Sequence, residues 1–198
     1  MPSLAHRRWA TARSRELDEI EAAHHSVGGT GPGRRHATQQ INRAYAVLLA
    51  SHFQGFCRDL HTEAVDCLIP MIAPSAAPTV DFRATVKRQL LANRQLDHGN
   101  ANQTTVGGDF GKLGVPDFWA SVDVAAAGND QRRQVLDRLN AWRNAIAHQD
   151  FDPTRLGGTT TLRLAIVQRW RRACRRLARS IDGVVRDHIR AVTGSWPW

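Results

Sequence analysis

The amino-acid sequence predicts an all-α fold, a helical bundle with long antiparallel core helices. Two observations predict it. Apolar residues recur at three- and four-residue steps through the longest segments, which is the spacing of one face of a helix. No segment shows sustained alternation of apolar and polar residues, the pattern of a half-buried strand. We therefore expect helices joined by the short stretches in which Gly and Pro gather.

The first half of the chain predicts an added N-terminal helix followed by the centre of the core. Residues 4–25 are rich in helix formers and end at a glycine-rich run over 28–33. A second helix is expected over 38–69, ending where Pro70, Pro74 and Pro78 follow. Its apolar stripe consists of Ile41, Tyr45, Leu48, Leu49, Phe53, Phe56, Leu60, Ala64, Cys67 and Leu68.

The predicted division of the chain places an N-terminal helix and linker at residues 1–36 and a helical domain at residues 37–198. Asp81 is expected to cap a helix that continues to about residue 96. Residues 98–114 contain five glycines with Asn and Thr, and they predict an irregular loop that is too polar to be buried.

The second half of the chain predicts three more helices. A short helix is expected near residues 116–127, and a longer one begins where Asn129 or Asp130 can cap it and runs to about residue 149. The last helix is expected to open at residues 159–161 and to continue to about residue 192.

Composition favours an anionic partner and argues against a membrane protein. The formal net charge is +9, and nearly all of the positive charge is arginine, since only Lys87 and Lys112 are lysines. No apolar run approaches the roughly 20 residues of a membrane helix, so the cytoplasm is the expected location. The three cysteines form no metal-ligand pattern, and we expect reduced core residues with no metal or cofactor.

The last predicted helix has one apolar face and one arginine face. At about 100° per residue, Trp170, Cys174 and Leu177 share the apolar side. The opposite half carries Arg171, Arg172, Arg175, Arg176, Arg179 and Arg186. The first five of these arginines are candidates for contact with an RNA backbone, although a solvated face is the more usual explanation of such a run of charge.

The segment Arg143-Asn144-Ala145-Ile146-Ala147-His148 is the main candidate for chemistry. On the helical wheel Asn144 and His148 lie opposite the core stripe, whereas Arg143 lies about 40° from it. The small Ala141 and Ala145 lie near the same non-core face and would let another helix approach. We therefore expect a composite site, completed when a second copy of the chain packs this face against itself.

Residues of these types can cleave RNA without a metal. Histidine side chains exchange protons readily near neutral pH, so the imidazole of His148 can accept the proton of a ribose 2′-hydroxyl or donate one to the leaving 5′-oxygen. The guanidinium of Arg143 can hold the phosphate and offset charge in the transition state. The amide of Asn144 can orient the base or the substrate.

The sequence resembles HEPN domains at two places. Their Arg-x4-6-His signature is similar to Arg143-Asn144 followed by Ala147-His148 near a helix end. The early core helix of their RiboL-PSP or MAE-like groups is similar to residues 49–60. The resemblance implies a homodimeric, metal-independent endoribonuclease, with Arg143 and His148 as the catalytic pair and Asn144 in support. It also implies a role as a toxin or phage-defence effector with RNA as substrate and an antitoxin or defence-system protein as partner. The alternative is a HEPN-like RNA-binding or protein-interaction module that does not cleave.

Two positions depart from the family pattern. HEPN toxins that are paired with a nucleotidyltransferase antitoxin often carry Tyr two residues after the motif histidine, where this chain has Asp150. Relatives frequently carry Glu where this chain has Gln54. The remaining histidines, including His52 and His61, have no partner at metal-ligand spacing and are expected to be structural or surface residues.

Overall fold

The computed structural model describes residues 1–27, 34–72 and 81–198, and these residues form helices without any strand. The all-α prediction is therefore confirmed. The predicted glycine-rich linker and the breaks at Pro74 and Pro78 lie outside the described residues. The helices are α1 Leu4–Arg8, α2 Ser14–Val27, α3 Arg34–Leu68, α4 Phe82–Ala92, α5 Gln103–Gly111, α6 Phe118–Ala125, α7 Asn129–His148 and α8 Leu164–Thr193.

Helix α3 forms the centre of the bundle and packs against α2, α7 and α8. Most of its predicted apolar stripe is buried, including Tyr45, Phe53, Phe56 and Leu60, which expose none of their surface. The prediction of this stripe is confirmed. A 3-10 turn over Ile69–Met71, which contains Pro70, follows the helix where the sequence predicted a break.

The N-terminal helix packs on α3 and is continuous from α1 to α2 through a π-helical turn, Trp9–Arg13. The Trp9 ring contacts the rings of Phe53 and Phe56, with centroids 5.8 and 6.1 Å away. The Glu63 carboxylate on α3 accepts the free backbone N–H groups of Leu4 and Ala5. Because a helix start leaves such donors unsatisfied, Glu63 fixes this end to the bundle.

The prediction of an irregular loop over 98–114 is wrong, because α5 forms there and is partly buried. Asn102 accepts a hydrogen bond from the Thr105 N–H, and the Thr105 hydroxyl accepts one from the Asn102 N–H, which closes a capping box. Gly107 allows Trp119 to approach, since a Cβ at this glycine would lie 2.9 Å from the indole nitrogen. Phe110 is fully buried and stacks on Phe118 at 4.9 Å. Tertiary contacts thus override the weak helix propensity of glycine.

Two predicted helix starts also differ from the structure. Neither Asn129 nor Asp130 caps α7, because left-handed Gly128 precedes the helix and the buried Asn129 amide donates to the Val122 carbonyl. Helix α8 begins at Leu164 rather than at the threonines before it. The side-chain amide of Asn42 on α3 holds the segment before α8 by donating a hydrogen bond to the Leu162 carbonyl at 2.7 Å. The cap predicted at Asp81 is confirmed, since its carboxylate accepts from the Ala84 N–H.

Helix α8 completes the core with its predicted apolar face. Trp170, Cys174, Leu177 and Ile181 are buried, and Cys57 lies buried on α3. The core position expected of the cysteines is confirmed for Cys57 and Cys174, whereas Cys67 is only partly buried. Among the described residues, none of the helices has both the length and the apolar character to cross a membrane.

Candidate functional site

The helical wheel predicted the faces of the C-terminal half of α7 correctly except at Ala145, which was placed near the exposed face and is buried. Leu139 and Trp142 are buried in the core, and Trp142 lies 6.4 Å from the Trp170 ring. Asn144 and His148 are exposed on the other side of the helix. His148 is therefore available for chemistry and is not a core histidine.

The exposed motif residues line an open groove of about 610 Å³. Asn144 and His148 form one wall, together with Ala141 and Ala145. The segment that follows α7 forms the other side with Asp150, Arg155 and Leu156. The groove therefore combines an imidazole, an amide and a guanidinium with two small residues that leave room for an incoming group.

Arg143 does not line this groove, but it is connected to it through Asn144. Its guanidinium Nη1 donates to the Asn144 side-chain oxygen at 3.3 Å. The same oxygen accepts a hydrogen bond from the Asn100 amide nitrogen at 2.7 Å. One chain thus brings Arg143 and Asn144 together and places His148 beside Asn144, but it does not bring the arginine into the groove with the histidine.

Asn100 was not among the predicted site residues, and the contacts that place it are long-range. The Gln54 amide on α3 donates to the carbonyls of Leu96 and Gly99 at 2.7 and 2.9 Å. The Asn140 amide on α7 donates to the Ala101 carbonyl at 2.9 Å. These bonds clamp the loop before α5 against two helices and orient Asn100 toward Asn144. The only local signal in the sequence was the cluster of polar residues in this segment.

The structure gives Gln54 a role that a carboxylate could not perform. Both of its partners are carbonyl oxygens, which accept hydrogen bonds, and an ionised glutamate has no proton to donate. The departure from the family pattern at this position is therefore consistent with a loop-clamping role for the amide.

The end of α7 fixes the position of His148. Gln149 adopts a left-handed conformation with φ 55°, and the Asp150 N–H donates to the Ala145 carbonyl at 3.0 Å, which closes the last turn. The Asp150 carboxylate lies 3.4 Å from the Arg155 guanidinium, whose side chain is 73% exposed. Arg155 is thus the arginine that lines the groove, and no motif in the sequence pointed to it.

The five arginines predicted to contact RNA divide into two groups. Arg171 is half-buried and held by Asp18 at 2.7 Å, by the Ser14 hydroxyl at 2.8 Å and by the Tyr45 hydroxyl at 3.2 Å. It therefore has a structural role between α2, α3 and α8. The other four side chains are exposed: Arg172, Arg175, Arg176 and Arg179.

The remaining histidines lie apart from the groove. His52 pairs with Glu16 at 3.1 Å, and burial lowers the pKa of His52 against the raising effect of that carboxylate. His61 is fully buried next to Phe110, and burial lowers the pKa of His61 to about 4. The described ranges contain no group of three or more His, Cys, Asp or Glu residues that could hold a metal ion.

Comparison with known proteins agrees with this helical layout. A family model described as RiboL-PSP-HEPN matches residues 11–187, which cover most of the chain. The chain belongs to the RiboL-PSP-HEPN family. Searches of curated proteins and of solved structures gave no significant match. For this HEPN protein, family membership supports an RNase or nucleotide-related role as the class of function.

Proposed function

We propose that this HEPN protein is a metal-independent endoribonuclease that cleaves RNA at a site formed by Arg143, Asn144 and His148 of two copies of the chain. The observation that carries the proposal is the groove in which exposed His148 lies beside Asn144, with Arg143 bonded to the same asparagine. A general acid–base, an orienting amide and a phosphate-binding cation are the groups that this reaction needs.

In the proposed reaction the ribose 2′-oxygen attacks the adjacent phosphorus, and the bond from phosphorus to the 5′-oxygen breaks. His148 accepts the 2′-hydroxyl proton, and His148 of the partner subunit donates a proton to the leaving 5′-oxygen. Arg143 offsets the charge that develops on the phosphoryl oxygens. The products are a 2′,3′-cyclic phosphate end and a 5′-hydroxyl end.

In the proposed dimer, a second copy of the chain supplies a second histidine and brings Arg143 to the cleft. Arg143 lies outside the groove of its own chain, and the groove wall contains Ala141 and Ala145, which are small enough for a second α7 to approach. A two-fold axis beside this face would bring two histidines into one cleft and place an arginine at each edge. We therefore propose a homodimer as the active form.

The test is cleavage of a labelled single-stranded RNA in the presence of EDTA. Wild type should cleave, whereas Arg143→Ala and His148→Ala should each lose at least about 100-fold in rate, the usual contribution of a general acid–base or a charge-stabilising group. Arg88→Ala and His25→Ala remove exposed residues of the same types from α4 and α2, which do not line the groove, and should cleave as wild type does. Cleavage only with added Mg²⁺ would exclude the metal-independent mechanism.

The same assay separates cleavage from binding alone. RNA retained without cleavage by the wild-type protein would show that the chain is an RNA-binding or protein-interaction module. We further propose that the enzyme acts on cytoplasmic RNA as a toxin or phage-defence effector that a partner protein restrains. Expression of wild type should then arrest growth, and expression of His148→Ala should not.

A further inference from the structure

A second groove lies between α7 and α8, away from His148, and five guanidinium groups line it. Its volume is about 570 Å³, and its arginines are Arg132, Arg138, Arg169, Arg172 and Arg176. Its apolar lining consists of the partly buried Val135 and the buried Ala173. Only Arg172 and Arg176 were among the arginines that the sequence predicted to contact RNA.

The positive charge of this groove is uncompensated, whereas two neighbouring arginines on the same helices pair with carboxylates. Arg133 pairs with Asp123, and Arg171 pairs with Asp18. No carboxylate lines the groove, and the ion pairs found in the described ranges include none of its five arginines. Such a concentration of like charge is costly unless an anion neutralises it, so it favours a polyanionic ligand.

The groove continues toward the candidate cleavage site along one face of α7. The stripe consists of Gln131, Gln134, Arg138, Ala141, Ala145 and His148, at steps of three and four residues. The first three line the arginine groove, and the last three line the groove of His148. Arg138 and His148 are ten positions apart, or about 15 Å along the helix. One RNA strand that leaves the arginine groove can therefore reach the edge of the cleft at His148.

We propose that the arginine groove binds the sugar–phosphate backbone of the RNA strand whose adjoining segment lies at His148. The proposal rests on the proposed function and adds where the substrate is held. Its lining has arginines on both walls but no aromatic side chain on which a base could stack, so binding through it should be independent of sequence. An acidic peptide would match the charge of the groove, but it would not place a phosphodiester at His148.

The test measures RNA binding in the His148→Ala background, so that the strand stays intact. A fluorescent single-stranded RNA is titrated by anisotropy at several salt concentrations. Arg172→Gln with Arg176→Gln should weaken binding about tenfold at moderate salt and reduce the slope of log affinity against log salt by about 1.4, since each phosphate contact contributes about 0.7 for single strands. Arg138→Gln with Arg169→Gln should give the same result.

Two control variants make the result specific to the groove. Arg15→Gln with Arg88→Gln removes the same charge from exposed positions elsewhere and should leave the slope unchanged. Arg172→Lys with Arg176→Lys keeps the charge and should retain most of the slope. Equal losses in the groove variants and the Arg15/Arg88 control would overturn the proposal, because net charge alone would then explain binding.

The binding test of the arginine groove does not depend on whether the protein cleaves RNA. If both groove variants lose RNA binding while wild type never cleaves RNA, the groove assignment is supported and the proposed function is not. If wild type cleaves and the groove variants bind and cleave as the Arg15/Arg88 control does, the groove assignment is wrong and the proposed function remains. A groove that binds polyglutamate more tightly than RNA would overturn RNA as the occupant.

Discussion

Replacement of Gln54 by glutamate tests how the loop that orients Asn100 is held. The Gln54 amide donates to the carbonyls of Leu96 and Gly99 at 2.7 and 2.9 Å from a half-buried position. In Gln54→Glu both hydrogen bonds are lost, and an ionised carboxylate faces two carbonyl oxygens. At about 1 kcal/mol per lost bond plus the penalty for unsatisfied buried groups, we expect a loss of roughly 2–4 kcal/mol at pH 8.

The stability lost in Gln54→Glu should increase as the pH rises. Burial and the two facing carbonyls favour the neutral form of the introduced carboxyl, so its pKa is raised above the unfolded value of about 4.3. A raised folded pKa means that the variant is closest to wild type below pH 4 and becomes less stable than wild type as pH rises through the folded pKa.

The assay is urea denaturation of wild type and Gln54→Glu at several pH values, with Gln40→Glu as a control at an exposed position on the same helix. Cleavage by Gln54→Glu should fall as well, because the loop carries Asn100 to Asn144. If Gln54→Glu unfolds at the same urea concentration as Gln40→Glu at every pH, the amide does not clamp this loop.

Three further predictions concern the buried histidine, helix α5 and the site. The free energy of unfolding should fall by about 3 kcal/mol as the pH drops from 6.5 to about 4, because His61 is protonated in the unfolded chain but stays neutral where it is buried. His61→Leu should flatten this part of the plot of stability against pH, and an unchanged plot would contradict the prediction. Phe110→Ala removes a fully buried ring stacked on Phe118 and should cost about 3–5 kcal/mol in urea denaturation, whereas a cost under about 1 kcal/mol would mean that α5 lies outside the core. Asn100→Ala should slow RNA cleavage by about fivefold to tenfold with little change in melting temperature, since it removes one exposed hydrogen bond to Asn144; an unaltered rate would show that this contact does not orient the site.

Features that depend on local periodicity could be predicted from the sequence. The apolar stripe of α3 and the two faces of α7 follow from residue spacing alone, because a helix repeats every 3.6 residues. The position of His148 on an exposed face needed only the assumption that Leu139 and Trp142 face the core, and both are buried.

Features that depend on distant parts of the chain could not be predicted. Asn100 and Asn144 are 44 positions apart, and their hydrogen bond depends on how Gln54 and Asn140 hold the loop. Helix α5 was missed because its glycines have low helix propensity, while the burial of Phe110 that stabilises it is a tertiary contact.

The pairing of charges was equally hidden in the sequence. Arg171 and Arg172 are neighbours in one arginine run, yet Arg171 is held by Asp18 from the N-terminal helix, and Arg172 faces the groove beside α7. Periodicity placed both side chains on the polar half of α8. The two arginines differ only in their tertiary contacts, because Arg171 meets a carboxylate on α2 and Arg172 faces the groove beside α7.

A subunit-mixing experiment tests the central claim, that RNA cleavage needs His148 from two copies of the chain. Wild type and His148→Ala are unfolded together, refolded so that subunits associate at random, and assayed on RNA in EDTA at constant total protein. If each active cleft needs both histidines, the rate follows the square of the wild-type fraction and is about a quarter of the full rate in an equal mixture. A rate that falls in proportion to the wild-type fraction, to about half in the equal mixture, would show that one chain is sufficient and would contradict the composite site.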